Sequence, residues 1–221
     1  MKLNSISRFL LLAICAAVCL VATPARATLM SFSPTPSDLF DLDHHYSYSW
    51  RLDNINLNNV TISSASITFT NIANWDSNPN MLFVYLMDTA VGSGVRSLQD
   101  HDLSEAPVGN IVDHFASGFN SPSLVLSSTA KQKLFQHSFT TTPTTFTYTF
   151  TAAQLTLLMN YINNGHDVAF GFDSECHFFN DGITFTMNVV PIPEVASLLP
   201  VGLLVGIATA FEIRRRRRAK A

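Results

Sequence analysis

The densest run of side chains able to do chemistry is Asp173-Ser174-Glu175-Cys176-His177, followed closely by Asn180-Asp181-Gly182. Asp173, Glu175, Asn180 and Asp181 would offer oxygen ligands to Ca2+, a hard cation that takes about six to eight of them. The competing reading is turn chemistry, because Asn-Asp-Gly makes a tight loop without any ion. A second oxygen-rich stretch is Asn74-Trp75-Asp76-Ser77-Asn78. Its alternation is that of an EF-hand loop's first half, but Pro79 stands where that loop needs glycine and no Glu closes it. It is left with ligands to lend to a shared site. Trp75 reads first as a core residue; beside amides and a carboxylate it also has the makings of a sugar-binding shelf, a flat apolar face with a polar rim.

Nucleophilic and acid–base arrangements are harder to find. The seven histidines are His44, His45, His101, His114, His137, His166 and His177, and no two carry the helical spacing of an H-E-x-x-H zinc protease. Asp100-His101-Asp102 and Asp113-His114 set imidazole beside carboxylate, which by itself orients a ring. There is no Gly-x-Ser-x-Gly elbow and no glycine-rich phosphate loop. Cys176 and His177 are chain neighbours, and neighbours on a strand point to opposite faces. The expectation is a protein without catalytic activity. The rival is a secreted glycan hydrolase using two carboxylates, such as Asp173 and Asp181, as acid and base.

The elements that must position these groups are mostly strands. Tyr46, Tyr48, Trp50 and Leu52 alternate with Ser47, Ser49 and Arg51, and Ile67 and Phe69 alternate with Ser66, Thr68 and Thr70, after a lead-in at Ile62. Phe146, Tyr148 and Phe150 repeat the pattern among threonines; so do Val168, Phe170 and Phe172, and Ile183, Phe185 and Met187. Met81 to Met87 is apolar throughout, as for a strand covered on both faces, and Leu134 to Phe139 is a further candidate. The Asp173–Asp181 cluster then falls on the connection between two strands and reads as a hairpin loop. One helix is predicted from about Ala152 to Asn163. Leu155, Leu158, Met159 and Ile162 share a face, Thr151 and Gln154 match a capping box, and Asn163-Asn164-Gly165 supplies a left-handed stop. The fold expected is a single antiparallel β-sandwich or jelly-roll-like domain with one short helix.

Charge is segregated along the 221 residues. Between Thr28 and Ile192 there are four basic residues against 14 acidic ones, hence a net −10, although the whole chain carries only −3. So acidic a middle excludes nucleic acid as a partner, since phosphate neutralisation needs a basic surface. Lys2 and Arg8 precede the apolar run Phe9 to Ala22, and Ala25-Arg26-Ala27 forms a cleavage box, so residues 1–27 read as a signal peptide. The exported domain is 28–190. Cys15 and Cys19 leave with the signal, so Cys176 stays without an intramolecular partner and is expected to lie buried under Phe178 and Phe179. Near the other end the apolar run Val195 to Phe211 is followed by Glu212-Ile213, and 196–213 reads as a span just long enough to cross a bilayer; the basic tail 214–221, with Arg214 to Arg218, would keep that side cytoplasmic.

Pro191-Ile192-Pro193-Glu194-Val195, the apolar span and the arginine cluster together resemble the PEP-CTERM sorting signal of Gram-negative bacteria. The sorting motif proper is Pro193, Glu194 and Val195, with Val195 where the family pattern has Pro. Gly171 to Ile183 is also similar to a stretch of other surface proteins carrying this signal, with Ser174 and Glu175 in place of the usual Pro and Asp. The resemblance implies an exosortase as processing partner, passage through the inner membrane, and delivery to the cell surface or exopolysaccharide matrix. It implies a structural or adhesive role, with Ca2+ or extracellular polysaccharide as ligand. A simple C-terminally membrane-anchored periplasmic protein accounts for the same two ends.

Overall fold

The computed structural model describes residues 26–34, 39–99, 113–116, 123–126 and 128–192. The apolar run of the expected signal peptide, the expected sorting motif Pro193, Glu194 and Val195, the expected span 196–213 and the tail 214–221 lie outside the described residues, as do Asp100, His101 and Asp102. Among the described residues no helix is long and apolar enough to cross a membrane. Ala27–Val190 forms one compact unit.

That unit is mainly β, as its period-two runs require. The strands are β1 (Thr28–Phe32), β2 (Asp41–Leu42), β3 (Tyr46–Leu52), β4 (Val60–Asn74), β5 (Leu82–Met87) and β6 (Gly94–Gln99). After them come β7 (Lys131–His137), β8 (Thr144–Thr149), the helix α1 (Ala152–Gly165), β9 (Val168–Ser174), β10 (Phe178–Phe179) and β11 (Ile183–Pro191). One sheet has the order β1-β11-β4-β10-β2, with β8 also paired to β4; the other has the order β6-β3-β9-β5-β7. Each pairing with a described register is antiparallel.

The two sheets share one core. Phe69 of β4 meets Phe172 of β9 edge to face at 6.1 Å between ring centroids, and Phe170 of β9 lies 4.9 Å from Phe185 of β11. Trp50, Phe170 and Leu86 of the second sheet and Ile67, Phe178 and Phe185 of the first are buried in the same cluster. Strand β5 is buried at all six positions, as its unbroken apolar run predicts. Its even-numbered residues enter the main core, whereas Phe83, Tyr85 and Met87 pack on the far side with Phe115, Leu124 and Val125. Ser47 and Ser49 of β3, the polar half of that alternation, are buried as well.

Two sequence expectations about these elements need correction. The Asp173–Asp181 connection is not a hairpin: β9 belongs to the second sheet and β11 to the first, so the chain changes sheets there and lays β10 between β4 and β2. The helix runs to Gly165, and its left-handed residue is His166 (φ 59°). The His166 N–H caps the Ile162 carbonyl, and its own carbonyl accepts from the Ile55 amide at 2.9 Å, a tertiary bond that holds this non-glycine residue in place. In β4 the apolar phase slips. Ile62 is buried, then Ala65, Ile67 and Phe69, then Ile72; the second slip is a register shift around Asn71, at φ 50°. At the other end of α1 the capping box forms as expected, with the Gln154 amide donating to Thr151 Oγ1 and the Thr151 amide donating to Gln154 Oε1.

Candidate functional site

The chain crosses between the sheets twice at one corner. From β2 to β3 it passes through the turn Asp43-His44-His45-Tyr46, closed by the Tyr46 amide on the Asp43 carbonyl at 3.1 Å. From β9 to β10 it passes through Glu175, Cys176 and His177. Ser174 Oγ donates to the Leu42 carbonyl at 2.8 Å and so ties the two crossings together. Chain neighbours diverge on a strand. On this turn, with the Asp43 carboxylate accepting the His45 amide at 2.9 Å, neighbouring side chains converge instead.

The result is a cluster of imidazoles and carboxylates. Asp43, His44 and His177 place one ligand atom each within 4.8 Å of one another, the one such group among the described residues. His44 Nδ1 is 3.4 Å and His177 Nε2 3.8 Å from Asp43 Oδ1, and His45 Nδ1 reaches the same oxygen at 3.0 Å. His177 Nδ1 lies 3.0 and 3.1 Å from the two oxygens of Asp41. Tyr48 joins the corner by donating to the Asp41 carbonyl and accepting the Asp43 amide. Burial pushes the Asp43 carboxyl up, but the hydrogen bonds from His45 and the charges of His177 and His45 outweigh it and hold the group below its ordinary value. Burial pushes the Cys176 thiol up; the His177 amide opposes this, while Asp76, Asp41 and Asp43 add to it. Cys176 is half-buried rather than enclosed, and such a thiol stays protonated near neutral pH and is a poor nucleophile.

The residues expected to hold calcium are found elsewhere, each with protein partners. Asp173 is 2% exposed and accepts the His114 amide at 2.7 Å, with the His114 ring 3.2 Å away. Glu175 Oε2 accepts the Met81 amide at 2.7 Å, and burial raises its carboxyl above the ordinary value, opposed by that bond and reinforced by Asp173. Asn180 donates to the Leu39 carbonyl at 2.6 Å and accepts the Gly182 amide at 2.9 Å. Asp181 accepts from Asn71 Nδ2 at 2.6 Å. Asp173 and Asp181 thus belong to different hydrogen-bonded settings, one buried and one exposed.

Trp75 overturns its first reading. It is 65% exposed, and the other tryptophan, Trp50, fills the core instead. The β4 chain carries Trp75 outward just past its last paired residue, with the Trp75 amide held by the His177 carbonyl at 2.9 Å. Its indole lies 6.0 Å from the Phe179 ring, which is 40% exposed, and 6.2 Å from His177. Trp75 and Phe179 line a groove of about 400 Å³ with Asn71, Asp181, Thr141 and Pro143. Sequence reasoning found Trp75 and Asp181 but missed Phe179. The sequence carried no period to find it by, since β10 is two residues long; in the structure Phe178 is fully buried, and its neighbours His177 and Phe179 face out.

Against protein-family models, curated proteins and solved structures, the chain finds no match.

Proposed function

We propose that this chain is an exported cell-surface or exopolysaccharide-matrix protein whose β domain holds polysaccharide in the Trp75–Phe179 groove. The observation that carries the reading is the pair of exposed aromatic rings, 6.0 Å apart, that line one groove with the hydrogen-bonded Asn71–Asp181 amide–carboxylate pair. Leaving a large indole mostly in water forgoes the burial that stabilises it elsewhere, about 25 cal/mol per Å² of apolar surface. A sugar ring restores that burial with its C–H face, while its hydroxyls find amide and carboxylate partners at the rim. Two antiparallel sheets over a shared aromatic core support the sandwich or jelly-roll class, a rigid frame on which loops present a binding surface.

The two ends support the cellular part of the reading. A cleavable signal, a Pro-Glu motif, an apolar span and a basic tail fit export through the inner membrane, exosortase processing and release to the surface. Calcium at Asp173, Glu175, Asn180 and Asp181 is the weaker part, because those side chains already bond to protein; melting in millimolar Ca2+ against chelator, with Asp181→Asn alongside, decides it. The binding test is retention of the detergent-solubilised chain on immobilised exopolysaccharides and on a glycan array. Wild type should be retained, and Trp75→Ala and Phe179→Ala should lose at least about tenfold in affinity with their melting temperatures unchanged, since both rings are exposed. Equal retention of all three proteins would remove the groove from the account.

A further inference from the structure

We propose that Asp43, His44 and His177 bind one divalent transition-metal ion of the Zn2+ class, with His177 positioned for it by Asp41. The proposal does not depend on the polysaccharide reading. It starts from ligand spacing. Around a four-coordinate ion with nitrogen and oxygen ligands at about 2.0–2.1 Å, tetrahedral geometry sets neighbouring ligand atoms about 3.3–3.4 Å apart. His44 Nδ1 is 3.4 Å from Asp43 Oδ1, already at that separation, and His177 Nε2 is 3.8 Å away and needs only a small closure. Both lie beyond the 2.7–3.2 Å, roughly, of a well-made hydrogen bond.

The second observation is what Asp41 does. Its carboxylate accepts, so the His177 Nδ1 facing both of its oxygens at 3.0 and 3.1 Å carries the proton. In the neutral ring the lone pair then sits on Nε2, turned toward the Asp43 carboxylate. A lone pair and an anion face each other with benefit only when a proton or a metal cation stands between them, and the 3.8 Å separation is long for a shared proton. A carboxylate on the far nitrogen of a metal-binding imidazole is the usual device for fixing the tautomer and raising ligand basicity. Asp43 is oriented in turn, by the amide and ring of His45 at 2.9 and 3.0 Å. Two imidazoles with one carboxylate suit Zn2+ and its neighbours rather than Ca2+ or Mg2+, which take oxygen ligands. Three protein ligands leave one tetrahedral position for water or for a hydroxyl of a bound molecule.

His177 also connects the cluster to an optical reporter. Its ring stacks on Phe179 at 5.9 Å and lies 6.2 Å from Trp75. The test uses the full chain, tag-free and detergent-solubilised, stripped with chelator and titrated with Zn2+ by calorimetry. Parallel titration with Co2+ reads coordination by absorption, and Trp75 emission reports on His177. Wild type should bind one equivalent, with the low-symmetry Co2+ bands of a four-coordinate site and a change in emission. His44→Asn and His177→Asn should each lose at least about a hundredfold in affinity, and Asp41→Asn about ten- to a hundredfold as a positioning residue. His137→Asn, an exposed histidine outside the cluster, should bind like wild type. Metal-free melting of every variant separates lost binding from lost folding; should His177→Asn not fold, His44→Asn and Asp41→Asn carry the test. Absence of stoichiometric binding in wild type, or undiminished binding in the cluster variants, overturns the proposal and leaves an imidazole held between two carboxylates.

Discussion

Gly171 on β9 offers a quantitative check on how the second sheet is covered. The residue pairs with Ser49 of β3 on one side and Tyr85 of β5 on the other. A Cβ built on it would stand 2.9, 3.0 and 3.2 Å from Cζ, Cε1 and Cε2 of Phe115. Carbon atoms in contact rest at about 3.5–4.0 Å, so the Phe115 ring would have to retreat by roughly half an ångström or more. That ring is fully buried and lies 5.5 Å from the Tyr85 ring, so it has little room. Overpacking of this kind costs about 1–3 kcal/mol. Gly171 is not among the residues with positive φ, so alanine also narrows the unfolded ensemble and returns about 0.4–1 kcal/mol. The net expectation for Gly171→Ala is a loss of up to about 2.5 kcal/mol, and for a domain of this size a fall in Tm of about 2–4 °C per kcal/mol. The assay is urea denaturation of wild type, Gly171→Ala, Phe115→Leu and the double variant. With the ring edge removed, the added methyl should be neutral or slightly stabilising, giving a coupling of about 1 kcal/mol or more between the sites. An equal cost of Gly171→Ala in both backgrounds would refute the contact, and with it the placing of the 113–116 segment over this sheet.

Thr151→Ala should destabilise the domain by about 1 kcal/mol in the same denaturation assay, because the Gln154 amide loses its cap. Burial, reinforced by Asp88, raises the Tyr161 phenol above its ordinary value, so folding disfavours the phenolate. Its stabilising effect is therefore complete below the unfolded value near pH 10 and is lost as pH rises from there toward the raised folded value, by up to about 1.4 kcal/mol per pH unit. Tyr161→Phe should flatten that alkaline decline and leave stability at pH 7 nearly unchanged, as followed by thermal melts across pH 8–12, roughly the window of the titration. Mass spectrometry of the surface fraction should give an N-terminus at Thr28 and no peptide containing Arg214 to Arg218; an intact arginine tail in mature protein would leave a plain membrane anchor.

The fold was legible wherever large apolar side chains alternate along the sequence with polar or small ones. Strands β3, β8, β9 and β11 and the apolar β5 follow from side-chain period alone, and the cap of α1 follows from two residues. Strand β6 was not legible: Gly94, Arg96, Ser97 and Gln99 give an edge strand half in water, with no apolar face to read. The two-residue β10 was too short to show a period, and it exists because β4 and β2 flank it. The hairpin expectation failed for a related reason. A turn-rich run between two strands says that the chain changes direction, not which sheet receives it. Here the Ser174 bond to Leu42 and the Asn180 bonds to Leu39 and Phe40 decide the destination, and those partners are far away in sequence. The same distance hid the cluster: Asp41 and His177 are 136 positions apart, and only the two crossings bring them together.

The position of β10 explains why the groove and the cluster adjoin. Phe178 is anchored in the core, where it meets Phe139 at 5.7 Å, and its backbone is paired on both sides. Alternation then obliges His177 and Phe179 to project on the opposite face. One turn of chain further, Asn180 is fixed by the Leu39 carbonyl and Asp181 by Asn71. A single buried phenylalanine therefore sets the direction of the His177 imidazole before it and of an exposed aromatic ring and a carboxylate after it. Precision of this kind is unusual in a connecting segment, which ordinarily gains freedom by lying at the surface. The sequence spends two strand pairings, a buried aromatic and two buried amide bonds on holding His177, Phe179 and Asp181, whose side chains are exposed or half-buried. Holding outward-facing groups rigidly lowers the entropy lost when a ligand meets them, which is the physical advantage that the proposed binding at this surface would draw on.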